Sequence, residues 1–148
     1  MLQHSGNKNL LSTTQYGFRP KSSTTTALIS LVESIVKNID RKEYTLLMLL
    51  DLSKAFDTVQ HNILLSKLTH YGFSQQICEI IGDYLSERRF FVTAKSEKSH
   101  TRDSTIGVPQ GSVLGPLLFI LYTNDFHNCL DNCDTSQYAD DTAIYPSH

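Results

Sequence analysis

Apolar residues recur along this chain in changing rhythms, and each rhythm predicts an element. Residues 1–20 are largely polar and end in Gly17-Phe18-Arg19-Pro20, which reads as a loop or incoming segment. Leu28, Leu31, Val32, Ile35 and Ile39 then form one stripe at helical spacing, which predicts a helix over 23–40 with Ser22 or Ser23 as its N-cap. The nearly unbroken apolar run 44–50 suits a strand buried on both faces, although periodicity alone leaves a buried helix open. A second helix is expected over 59–70, stopped by Gly72. A third starts at the N-cap Ser74, with Ile77, Ile80, Ile81, Tyr84 and Leu85 on one face. Residues 90–94 and 104–108 read as strands of a loose hairpin joined by the polar stretch 95–103. Pro109-Gln110-Gly111 breaks the second strand, and 113–128 reads as a strongly apolar helix with Pro116 in its first turn. Last, Gln137-Tyr138-Ala139 and Thr142-Ala143-Ile144-Tyr145 flank Asp140-Asp141, a hairpin with acids at its tip.

Composition narrows the class. The 148 residues are 40% hydrophobic and 19% charged, ordinary values for one globular domain. The formal charge is −2, whereas a stand-alone nucleic-acid binder is strongly basic. Three cysteines with no CxxC pair argue against a disulfide framework and for a reducing, intracellular setting. There is no signal-peptide core and no long apolar run, so no membrane partner is expected.

The acids carry the chemistry. An Asp-Asp pair alone reads first as solvated turn residues, and Asp51 alone as a strand end or helix cap. Bracketed by short β-prone segments, however, Asp140 and Asp141 project from a tight tip, and Asp51 ends the apolar run that would lie beside it. Three carboxylates brought together repel, and Mg²⁺ suits them because it takes oxygen ligands and shares carboxylates with substrate phosphates. The residues therefore point to metal-assisted phosphoryl transfer.

Three longer strings sharpen this. Asp51-Leu52-Ser53-Lys54-Ala55-Phe56-Asp57-Thr58-Val59, Gly107-Val108-Pro109-Gln110-Gly111-Ser112-Val113-Leu114-Gly115-Pro116 and Tyr138-Ala139-Asp140-Asp141 occur in that order. They resemble motifs A, B and C of the reverse transcriptases of non-LTR (LINE-type) retrotransposons, particularly the Jockey and CR1-like groups. Gln15-Tyr16-Gly17-Phe18-Arg19-Pro20 resembles the segment before motif A in that family, so the likeness runs over about residues 10–146.

The resemblance implies an α+β palm, an antiparallel sheet with helices packed on one face, plus the tail of the fingers. It divides the chain into 1–42, fingers tail and connecting helix, and 43–148, palm. It implies an RNA-directed DNA polymerase that uses two Mg²⁺ ions, or Mn²⁺ in their place, to join a dNTP to a primer 3′-OH. Asp51, Asp140 and Asp141 would be the catalytic metal ligands. Phe56 would lie under the incoming sugar and exclude a 2′-hydroxyl, and Gln110 and Gly111 would line the nucleotide pocket. Tyr138 would back the catalytic turn, Ala139 would face the nucleotide, and Asp57 would cap the following helix. The partners implied are an RNA template, a DNA primer and dNTPs, and the nucleus is the implied location. On the family pattern, further fingers sequence would precede this segment and a thumb would follow it. The 148 residues alone are accordingly expected to be inactive, and a catalytically inactive remnant is the alternative reading. A group II intron maturase or an RNA-copying polymerase shares the acids, but Phe56 argues against the latter. The cluster His127, Cys129, Cys133 lacks a fourth zinc ligand, and the basic residues Arg88, Arg89, Lys95, Lys98 and Arg102 read as a solvated face.

Overall fold

The computed structural model describes residues 10–147; positions 1–9 of the expected lead-in lie outside the described residues. The first helix, α1 (Thr24–Asp40), starts where the pattern placed it. Ser23 caps it, its hydroxyl accepting from the Thr26 amide while the Thr26 hydroxyl accepts from the Ser23 amide, so two orphan donors are satisfied reciprocally. The strand expected over 44–50 is shorter, β1 (Met48–Leu50), and Leu49 is 72% exposed rather than buried. Its position explains this: β1 is an edge strand, and one flank and much of its side-chain surface are uncovered among the described residues.

After β1 the chain makes a 3₁₀ turn, Ala55–Thr58, and then α2 (His61–His70), so the expected helix begins two residues late. It is followed by α3 (Gln75–Leu85). Ile81 and Leu85 of α3 are buried with Leu64 and Leu68 of α2, whereas Ile80 of the expected stripe is exposed. The loose hairpin becomes two small ribbons. Strands β2 (Arg88–Phe90) and β5 (Arg102–Ser104) pair antiparallel, and within the polar stretch β3 (Thr93–Ala94) pairs with β4 (Glu97–Lys98). The strands thus begin before Phe90, and residues 105–108 lie outside strands.

The helix expected over 113–128 is split into α4 (Gly115–Tyr122) and a 3₁₀ turn, Phe126–Cys129. Asn124 stands at the break, where its side chain accepts from the Ser12 amide (2.7 Å) and donates to the Leu10 carbonyl (2.8 Å). Leu118, Phe119, Ile120 and Leu121 of α4 are buried, and with α2 and α3 they form the main core. Strands β6 (Cys133–Tyr138) and β7 (Asp141–Pro146) close the chain as a hairpin. The sheet order is β1-β7-β6, all antiparallel, and α1 packs on β6. The architecture is the α+β arrangement expected. Among the described residues no helix is long and apolar enough to cross a membrane.

Candidate nucleotide and metal site

The register of the terminal hairpin decides which acid faces where. Tyr138 pairs with Asp141, so the two-residue tip is Ala139-Asp140 and Asp141 already belongs to β7. Side chains alternate across a strand and directly paired residues share a face. Ser136, Tyr138, Asp141, Ala143 and Leu49 therefore share one face, where they line an apolar cavity of about 340 Å³ against Ala27, Leu28 and Leu31 of α1. Asp140, at the tip, lines a different cleft.

That cleft has a volume of about 620 Å³, within the range of small-molecule sites. One wall is the segment from Asp51, at the end of β1, through Lys54 to Phe56 in the 3₁₀ turn; the other is Pro109, Gln110 and Gly111. Phe18, Pro116 and Asp140 complete the lining. The structure thus brings Asp51, Phe56, Gln110, Gly111 and Asp140 together. Asp141 and Tyr138 line the cavity beside α1 and Ala139 is buried, while the antiparallel register that pairs Leu50 with Thr142 puts Asp51 and Asp141 next in line.

The walls are joined by hydrogen bonds between the first and second motifs. The Val108 amide donates to the Phe56 carbonyl and the Gly107 amide to the Val59 carbonyl, each at 2.8 Å. The Gly107 carbonyl accepts from His61 Nε2 (2.8 Å) and from Arg88 Nη1 (3.0 Å). Gln110 Nε2 donates to Asp57 Oδ1 at 2.9 Å. Asp57 therefore holds the pocket glutamine instead of capping α2, whose N-cap is Gln60. Since a carboxylate only accepts, Gln110 spends a donor on Asp57 and keeps its carbonyl oxygen as an acceptor.

Phe56 is half-buried, stacked on Phe119 at 4.6 Å between ring centroids and edge-on to Phe18 at 6.4 Å. It is both core and cleft wall. Phe18 and Lys54 are among the cleft residues to which sequence reasoning gave no site role. Phe18 sat in the quoted lead-in without a role, and Lys54 stood inside the first motif as context. Lys54 adopts a left-handed backbone, φ 55°, at the entry to the 3₁₀ turn.

Among the described residues the ion pairs are Lys67–Asp125 and Arg89–Asp103, and neither involves Asp51 or Asp140. Among the described residues no group of three or more His, Cys, Asp or Glu stands close enough to hold a metal ion. Two carboxylates opening on one cleft still fit a hard cation, because Mg²⁺ is commonly held by one or two carboxylates, with water and substrate phosphate completing the shell.

Comparison with known proteins places the chain in a family. The family model described as reverse transcriptase (RNA-dependent DNA polymerase) matches residues 1–148. The probable RNA-directed DNA polymerase from transposon BS of Drosophila melanogaster is 36% identical over 144 residues, covering 93% of this chain and 16% of that protein. The RNA-directed DNA polymerase from mobile element jockey of the same fly is 36% identical over 137 residues, covering 88% of this chain and 15% of that protein. The chain thus spans about one-sixth of the length of these curated relatives. Among solved structures, apo telomerase from Candida tropicalis, truncated from its C-terminal domain, superposes with a TM-score of 0.62 at 16% identity. That match covers 91% of this chain and 30% of the telomerase chain, and it shows a shared fold. The chain is part of the reverse transcriptase family, alongside the polymerases of non-LTR retrotransposons.

Proposed function

We propose that the Asp51–Asp140 cleft is the nucleotide-addition site of an RNA-directed DNA polymerase. The observation that carries this is the meeting, in one cleft, of an acid from the end of β1, an acid from a hairpin tip 89 positions later, and the Phe56 and Gln110 walls between them. Within this reading residues 1–42 are the fingers tail and connecting helix, and 43–148 the palm. The partners are an RNA template, a DNA primer and dNTPs.

Reverse transcriptases work with divalent metal ions, and here Asp51 and Asp140 would hold Mg²⁺, or Mn²⁺ in its place. When bound, such ions stabilise charge on the attacking and leaving oxygens of phosphoryl transfer. The chain's own groups supply position. Lys54 presents an ammonium to phosphate from the same wall as Asp51. Phe56, braced by Phe119, sets a rigid aromatic edge where a deoxyribose fits and a 2′-hydroxyl clashes. Gln110, tethered by Asp57, offers its carbonyl oxygen to a donor on the nucleotide.

The test is RNA-templated primer extension, with dNTPs and Mg²⁺, by a longer polypeptide in which fingers and thumb segments flank these 148 residues. Extension that disappears on Asp51→Asn or Asp140→Asn and survives Asp134→Asn, a change elsewhere on the same hairpin, is expected. Extension indifferent to Asp140→Asn would refute the assignment.

A further inference from the structure

Gln15 is among the most deeply buried polar side chains, 2% exposed, yet it is absent from the cleft lining. Its amide engages both backbone groups of Ala139. Nε2 donates to the Ala139 carbonyl (3.2 Å), and Oε1 accepts from the Ala139 amide (3.0 Å) and from the Gly17 amide (2.7 Å). The segment carrying Gln15 is laid along β6 in parallel. The Tyr16 amide donates to the Gln137 carbonyl and the Gln137 amide to the Thr14 carbonyl, each at 2.8 Å. Gly17 presses on the same turn so closely that a Cβ there would lie 2.2 Å from the Ala139 nitrogen.

What these groups hold is an unusual turn. Ala139 has φ 59°, a left-handed conformation that persists in a non-glycine residue only where its surroundings enforce it. Ala139 precedes Asp140 in the hairpin tip, beyond the last strand pair, so ladder partners end at Tyr138–Asp141. The Gln15 amide, with one donor and one acceptor at peptide-like spacing, replaces the missing ladder partner.

We propose that Gln15 is a positioning residue for Asp140: by pairing with both backbone groups of Ala139 it locks the turn that aims the Asp140 carboxylate into the cleft. The inference rests on the assignment of Asp140 as a metal ligand. Outer partners that orient metal-binding groups typically change metal affinity by about 10–100-fold when lost.

The experiment uses two variants of the whole chain. Gln15→Met keeps length and apolar volume and removes every polar bond. Gln15→Glu keeps the two acceptor bonds and loses the donor, and it serves where Gln15→Met fails to fold. Mn²⁺ affinity is read from paramagnetic broadening of the Asp51 and Asp140 amides, and local order from hydrogen exchange at Ala139, with Leu64 and Leu68 of α2 as the reference. Expected are faster exchange at Ala139 and Mn²⁺ affinity weakened by about tenfold or more in Gln15→Met. Gln15→Glu should fall between it and the unaltered chain, with protection at Leu64 and Leu68 unchanged in both. Unchanged Mn²⁺ affinity, or protection lost evenly across α2 and the hairpin, would overturn the proposal. If Mn²⁺ broadens neither Asp51 nor Asp140 in the unaltered chain, the metal-site assignment is what fails. Exchange at Ala139 then decides alone: acceleration confined to the hairpin supports the hold of Gln15 on this turn, and unchanged exchange overturns it.

Discussion

Replacing Gly107 with alanine adds one methyl group at the seam between the two cleft walls. Gly107 has φ 82°, and a Cβ there would lie 2.9 Å from the Asp57 Cα and carbonyl oxygen and 3.0 Å from its carbonyl carbon. Two costs follow. Holding alanine in a left-handed conformation costs about 1–2 kcal/mol. Forcing a methyl against backbone, which cannot rotate away as a side-chain end can, costs about 1–3 kcal/mol more. The sum, about 2–5 kcal/mol, is a large share of the roughly 5–15 kcal/mol that holds a domain folded. Gly111→Ala is the internal control. Gly111 also has a positive φ, 76°, but open space surrounds its Cβ position, so it should lose only the conformational part, about 1–2 kcal/mol. Urea unfolding followed by circular dichroism gives both losses from the shift in midpoint at a shared slope. Losses equal within about 0.5 kcal/mol would refute the packing of Gly107 on the Asp57 turn.

Asn124→Ala should cost about 2–3 kcal/mol, because the Ser12 amide and Leu10 carbonyl both lose their partner; a loss under about 0.5 kcal/mol in the same urea assay would show that α4 ends for another reason. Phe56→Val should raise ribonucleotide incorporation relative to dNTP in primer extension, and an unchanged preference would show Phe56 to be packing alone. Burial lifts the Tyr145 hydroxyl above its ordinary pKa. The folded state therefore binds the phenolic proton more tightly than the unfolded state, so this group's contribution to stability is complete below about pH 10 and is lost as pH rises through the folded pKa. Tyr145→Phe should flatten that alkaline loss in a series of melts, and an unchanged slope would contradict it.

Several elements were legible because their causes are local. Ser22 or Ser23 marked the start of α1 as an N-cap ahead of the apolar stripe, and Gly72 follows the end of α2. The hairpin around Asp140 was visible from its flanking β-prone residues, but the face of Asp141 was not. Shifting a turn by one residue exchanges every side chain between faces, and only the Tyr138–Asp141 pairing settles it. The break after Tyr122 was illegible because the apolar pattern runs on to Phe126, while the residue that ends the helix, Asn124, bonds to chain more than 100 positions away. The run 44–50 looked buried because it is apolar, but burial depends on neighbours, and β1 stands at the sheet edge. In the site, Asp51, Phe56, Gln110, Gly111 and Asp140 were found through three contiguous motifs. Gln15 was not, because its partner Ala139 is 124 positions distant and nothing local marks the pairing.

The central claim is that Asp51 and Asp140 form the cation-binding edge of the cleft. It is tested most directly by titrating Mn²⁺ into the chain and into Asp51→Asn, Asp140→Asn and Asp134→Asn variants, following paramagnetic broadening of backbone amides. Broadening centred on Asp51 and Asp140, abolished by Asp51→Asn and Asp140→Asn and retained in Asp134→Asn, is the predicted result. Broadening that survives Asp140→Asn, or is centred away from the cleft in the unaltered chain, would contradict the claim.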